Sequence, residues 1–112
     1  GTKNNDIIFG YEGSDKINGR KGDDIIDPGV WNGDSKFDIV KGKKGADTFI
    51  IKENYWAFIA DFKIIEDTLD LSGLNNSSWE IHKKRTYVYG NDGLEVARLK
   101  GRHDLSEANI IT

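Results

Sequence analysis

The chain has no cysteine, so no disulfide can hold it together. It has one proline and two histidines in 112 residues. A domain this small buries a limited fraction of its surface, which leaves room for a second source of stability beside the core. The missing cysteines do not fix the compartment, because extracellular proteins can use a metal for the same purpose. No apolar run approaches the ~18 residues of a membrane span. The net charge is only −3, so the chain as a whole does not attract nucleic acid. Catalytic patterns are missing too. His82 and His103 stand apart, and no H-E-x-x-H zinc motif occurs. Ser14, Ser35, Ser72, Ser77, Ser78 and Ser106 have no nucleophile-elbow context. The chain is therefore expected to be non-catalytic, with any enzymatic activity lying elsewhere in its parent protein.

Glycine is plentiful, at 13 residues, and it is periodic. In nines from Gly1 the sequence reads GTKNNDIIF, GYEGSDKIN and GRKGDDIID. After the five residues PGVWN it resumes with GDSKFDIVK and GKKGADTFI. The first place is always glycine: Gly1, Gly10, Gly19, Gly33 and Gly42. The sixth is always aspartate: Asp6, Asp15, Asp24, Asp38 and Asp47. The eighth is always apolar: Ile8, Ile17, Ile26, Val40 and Phe49. Gly1 already opens a repeat, so the sequence reads as a piece of a longer protein.

Six residues with glycine or asparagine among them make a turn, because these types tolerate positive φ. The three that follow, rich in β-branched and aromatic types, make a very short strand. An 18-residue coil then holds two strands and two turns. Stacked coils give two parallel sheets with the eighth-place residues between them. Such a core is thin against the entropy of ordering so many glycines. Turns alternate sides, so Asp6 should lie near Asp24, Asp24 near Asp47, and Asp15 near Asp38. Stacked carboxylates repel unless a cation sits between them. Carboxylates and turn carbonyls, without Cys or His, suit Ca2+, which takes six to eight oxygens in flexible geometry. Asp24 is expected to serve two ions, one oxygen each. No EF-hand loop is present.

These nonapeptides resemble the RTX, or haemolysin-type, calcium-binding repeat, whose consensus is G-G-x-G-x-D-x-U-x. The resemblance implies a parallel β-roll with calcium between stacked turns. The second place departs from it, carrying Thr2, Tyr11, Arg20, Asp34 and Lys43. Lys36 replaces the fourth-place glycine after PGVWN, which makes the Asp15–Asp38 site the weaker one. GADTFII (45–51), FIADFKIIEDTLDLSGL (58–74) and DLSEANIIT (104–112) are similar to the region after the roll in serralysin-type proteases and in the R-modules of alginate (mannuronan) epimerases. Two readings stand for Asp61 and Asp67: a further calcium site, or, for Asp67 with Asp70, turn capping. Two also stand for ANIIT: an edge strand, or part of the uncleaved type I secretion signal that the resemblance implies.

The fold expected is all-β: a parallel β-roll over residues 1–52, then an antiparallel capping region over 53–112. Strands are expected near 58–64, 68–72, 79–81, 86–89 and 94–99, with a hairpin at GNDG (90–93). Asp104 should cap one helical turn. Trp56, Phe58, Phe62, Leu69, Leu71 and Trp79 are expected to cover the open end of the roll. Residues 1–52 hold nine basic and nine acidic residues. Calcium would neutralise five of those acids and leave Lys16, Arg20, Lys21, Lys36, Lys41, Lys43 and Lys44 in excess. That balance, with Tyr11, Trp31 and Tyr55, fits either a solvated mixed surface or an anionic polysaccharide such as alginate. The partners expected are calcium ions, the upstream domains of a secreted bacterial protein and the type I secretion machinery.

Overall fold

The computed structural model describes residues 1–112 except 12–13, 32–36 and 92. The sequence expectations at Gly13, Gly33, Asp34 and Lys36, and the third residue of GNDG, therefore lie outside the described residues. Among the described residues there are eleven strands: β1 (Ile7–Phe9), β2 (Lys16–Asn18), β3 (Ile25–Asp27), β4 (Asp38–Lys41), β5 (Thr48–Ile50), β6 (Ala57–Ile59), β7 (Thr68–Asp70), β8 (Ser78–His82), β9 (Arg85–Tyr89), β10 (Glu95–Lys100) and β11 (Asn109–Ile111). One sheet runs β1-β3-β5-β7-β11 and the other β2-β4-β6-β10-β9-β8. The protein is thus an all-β roll with an antiparallel region. From β1 to β7 successive strands alternate between sheets, which is the path the nine-residue period demands.

The register keeps the eighth-place residues in columns. Ile8 pairs with Ile26, Ile26 with Phe49, Phe49 with Leu69, and Leu69 with Ile110. In the other sheet Ile17 pairs with Val40, Val40 with Ile59, and Ile59 with Leu99. Ile26, Val40, Phe49, Ile59, Leu69 and Leu99 are completely buried. The core is therefore thicker than five repeats alone would supply.

The expected boundary after residue 52 does not mark the end of the parallel ladder. β6 and β7 add another coil, and β10 and β11 pair parallel beneath them. Only β8, β9 and β10 form the antiparallel part. The turn at Leu105–Glu107 is 3-10, with Asp104 accepting from the Ser106 N–H as its cap.

The expected cover of the open end also needs correction. Phe62, Leu69 and Leu71 are buried, but Trp56 and Phe58 are not, and Trp79 is 38% exposed. The reason is the two-residue side-chain period of a strand. Ala57 and Ile59 face inward, so Phe58 faces outward. It stacks there on Phe37, with the Arg85 guanidinium over its ring. Inside, Leu74, Val88, Val96, Ala97 and Leu105 do the covering.

The second place of the repeat has a conformational demand that this chain meets without glycine. Tyr11, Arg20 and Lys43 have φ of 62°, 67° and 66°. That left-handed backbone costs a residue with a Cβ roughly 1–2 kcal/mol. Glycine there would remove the strain but would add about 0.4–1 kcal/mol of unfolded-state entropy to lose. Arg20→Gly is therefore expected to stabilise the calcium-loaded protein by up to about 1 kcal/mol, read by denaturant unfolding. By contrast Leu99→Ala should cost about 2–5 kcal/mol. A much smaller loss at Leu99 would mean that β10 does not carry the core column onward.

Candidate metal centre

The sixth-place aspartates are tied to each other through the main chain. The Asp6 N–H donates to Asp24 Oδ1 at 2.8 Å, and the Asp24 N–H donates to Asp47 Oδ1 at 2.9 Å. The Asp47 N–H donates to Asp67 Oδ1 at 2.9 Å. On the opposite side the Asp15 N–H donates to Asp38 Oδ1 at 2.6 Å. Every pairing expected from alternating turns is therefore present as a contact between successive coils. Asp67 extends the series by one turn. The PGVWN insertion does not disturb the Asp15–Asp38 pair, because the ladder resumes in register at Ile17 and Val40.

This arrangement uses one carboxylate oxygen and leaves the other. Oδ2 of Asp15, Asp24 and Asp47 is buried with no hydrogen-bond partner. A buried carboxylate oxygen without a donor is costly unless a cation compensates it. The expectation that Asp24 gives one oxygen to each of two ions changes accordingly: Oδ1 already holds the Asp6 N–H, so Oδ2 is its available donor.

The first-place glycines explain where those oxygens point. A Cβ on Gly19 would lie 2.5 Å from Asp24 Oδ2 and 3.0 Å from the Gly42 carbonyl oxygen. A Cβ on Gly1 would lie 3.0 Å from Asp6 Oδ2, and one on Gly42 would collide with Asp47 Oδ2. Glycine is required here by close approach rather than by φ. Without the Cβ, a carboxylate oxygen and a main-chain carbonyl face one small space. Among the described residues no group of three or more His, Asp or Glu side chains gathers on one point. The donor set is thus carboxylate plus carbonyl, which is hard and all-oxygen.

The remaining acidic residues divide. Asp6 is only half-buried, and its oxygens accept from the Thr2 hydroxyl and N–H. The Thr2 main-chain hydrogen bond holds its carboxyl below the usual carboxylate range. Asp61 accepts from the Gly42 and Lys43 N–H groups, one on each oxygen. Asp67 Oδ2 accepts from the Lys63 N–H, which is the capping contact expected as the alternative to metal binding. Asp70 caps as well, accepting from Ser72. A second ladder was not read from the sequence. The Asp23 N–H donates to Asn5 Oδ1 at 2.7 Å, and the Ala46 N–H donates to Asp23 Oδ1 at 2.8 Å. The signal was present, since both acceptors occupy the fifth place of their repeats.

Burial drives the electrostatics. It raises the Asp47 carboxyl from 3.8 to about 7, opposed by the Asp24 main-chain hydrogen bond and helped by the charges of Asp67, Asp24 and Asp61. Burial raises Asp67 as well. Without a cation the roll therefore carries acids that resist ionisation.

Comparison with known proteins follows this geometry. Residues 1–30 match the profile of the RTX calcium-binding nonapeptide repeat, in four copies. The nonapeptides at the start of the chain are thus similar to RTX repeats. The fold is similar to that of the AlgE6R3 subunit of the Azotobacter vinelandii mannuronan C5-epimerase. That match has a TM-score of 0.68 and 25% identity, over 99% of this chain and 75% of that one. The AlgE6R2 subunit of the same enzyme matches with a TM-score of 0.61 and 23% identity, over 98% of this chain and 89% of that one. No curated protein sequence matches the chain.

The pKa directions set a pH test. A folded-state pKa above the unfolded value gives stability that is complete below about pH 4 and is lost as pH rises to about 7. In EDTA the melting temperature should therefore fall between pH 5 and pH 8. Added calcium should reverse the trend at pH 8. A melting temperature in EDTA that rises over that interval would contradict the buried-acid account.

Proposed function

We propose that this chain is a calcium-binding module of a larger secreted protein. It folds on extracellular calcium and supports that protein's type I secretion and stability, with no catalytic role of its own. One observation carries the reading: the buried Oδ2 atoms of Asp15, Asp24 and Asp47 have no donor among the described residues, and those of Asp24 and Asp47 sit against the glycine turns at Gly19 and Gly42. The match of residues 1–30 to a calcium-binding repeat supports it. Asp6, Asp24 and Asp47 would hold ions on one side of the roll and Asp15 and Asp38 on the other. Asp61 and Asp67 would contribute at the capped end. The ion supplies positive charge between like-charged carboxylates. The protein's own part is to hold those oxygens at fixed spacing, with the first-place glycines open to them.

The mechanism is coupled binding and folding. Extracellular calcium modules bind at about 10⁻⁴–10⁻³ M. Calcium at 100 times such a Kd adds about 2.7 kcal/mol per site. In the low calcium of a bacterial cytosol the repeats stay loose, and outside the cell they order. Among the described residues no helix is long and apolar enough to cross a membrane.

A second reading, binding of an anionic polysaccharide such as alginate, is favoured by the outer face of the six-stranded sheet. Lys16, Ile39, Phe58, Arg98, Tyr87 and Glu80 form one row across all six strands. Arg98 lies 5.1 Å from the Tyr87 ring centroid and 5.6 Å from that of Trp56. Retardation of the calcium-loaded protein in alginate-containing gels would support this reading. Unchanged mobility would remove it.

Circular dichroism during a calcium titration, reversed with EDTA, tests the first reading. Asp24→Asn sharpens the test, because it keeps the Oδ1 acceptor for the Asp6 N–H and removes the charge. In EDTA the substitution should be neutral or stabilising. In calcium it should be destabilising by about 2–3 kcal/mol, the contribution of one lost site. Equal behaviour of Asp24→Asn with and without calcium would refute the calcium role of this residue.

A further inference from the structure

The five-residue insertion between the third and fourth repeats supplies Trp31, whose position the calcium reading does not explain. The Trp31 main-chain N–H donates to the Asn54 carbonyl at 2.8 Å. This ties the insertion to the loop between β5 and β6. Asn54 there has a left-handed φ of 64°. The two segments and the start of β10 enclose a pocket of about 250 Å³. Trp31 and Trp56 meet edge to face in its wall, with centroids 5.2 Å apart. Leu94 and Val96 add apolar surface, and Glu53, Asn54 and Glu95 add polar groups.

The polar groups of this wall are unevenly committed. The Tyr55 hydroxyl donates to Asp27 Oδ1 at 2.6 Å. Glu95 holds the Arg98 guanidinium through both oxygens. Glu53 Oε1 accepts the Asn91 N–H at 2.7 Å. The Trp31 indole Nε1–H is buried and has no acceptor among the described residues. An unmade hydrogen bond at a buried donor is costly, so this group calls for an acceptor from outside the chain.

We propose that this pocket binds a neutral pyranose unit. The indole N–H requires an acceptor, which a bare ammonium group cannot supply. A uronate would bring its carboxylate toward Glu53, which pairs with no cation among the described residues, and be repelled. A sugar hydroxyl accepts from the indole N–H and donates to a carboxylate at once. The C–H face of the ring suits the indole walls, as apolar pockets with few placed polar groups suit small ligands. The pocket adjoins Arg98 of the outer-face row, which Glu95 holds and which packs over Trp56, and its ligand is uncharged.

The test uses the whole chain in saturating calcium, with amide dispersion confirming the fold. Methyl α-D-glucopyranoside, methyl α-D-mannopyranoside and methyl β-D-galactopyranoside are added separately up to about 100 mM, and sodium glucuronate serves as the charged control. The indole N–H resonances are followed by ¹⁵N–¹H correlation spectra. The Trp31 signal should shift saturably with at least one neutral glycoside, in the millimolar range. Glucuronate should leave it in place. Trp31→Phe should weaken binding more than tenfold, read on the Trp56 indole signal. Glu53→Gln keeps the acceptor for Asn91; it should weaken the glycoside several-fold and reduce the discrimination against glucuronate. No Trp31 shift with any of the three glycosides, or an equal shift with glucuronate, would overturn the proposal.

Discussion

The main-chain N–H of Asp6, Asp15, Asp24 and Asp47, donated in each case to the carboxylate one coil further on, is the interaction on which the roll depends. It performs two tasks with one residue. It satisfies a buried donor, which a turn inside a stack could not leave unmade. It also fixes one oxygen of Asp24, Asp38 and Asp47, so that the other is held in the gap rather than turned to water. Three-residue strands cannot position such groups alone, since each contributes only two or three ladder contacts. The side-chain ladder supplies the missing register.

That ladder has an electrostatic cost which the apolar columns only partly offset. Asp24, Asp38 and Asp47 are as deeply buried as Ile26 or Val40. The raised pKa of Asp47 expresses the same cost in protons. Protonation and cation binding are thus alternative ways of settling one buried charge, and they act in different pH ranges. Glycine enters as a matter of space: at Gly1, Gly19 and Gly42 a Cβ would lie so close to Oδ2 that any side chain would fill the gap.

Much of this was legible in the sequence, because a strict period exposes each role five times over. The aspartate pairings followed from the alternation of turns, and the buried columns from the eighth place. The end of the roll was not legible, because the next coils keep the strand but lose the leading glycine. Asp67-Thr68-Leu69 repeats the pattern of Asp47-Thr48-Phe49 without any G-x-x-G before it. The outward Phe58 was misplaced for a different reason. Its direction depends on the parity of a three-residue strand, and apolar content does not reveal parity. The left-handed second place was visible only as a departure from consensus. That Tyr11, Arg20 and Lys43 adopt it with a Cβ present is a property of the fold overriding local preference.

The antiparallel strands and the 3-10 turn close one end of the stack, while β1 and β2 remain edge strands at the other. In a quasi-one-dimensional stack each coil is stabilised chiefly by its neighbours. A coil beside the closed end meets a finished surface, whereas one at the far end must await the coil beneath it. Stability in such a molecule has a direction, greatest in the coils beside the C-terminal closure.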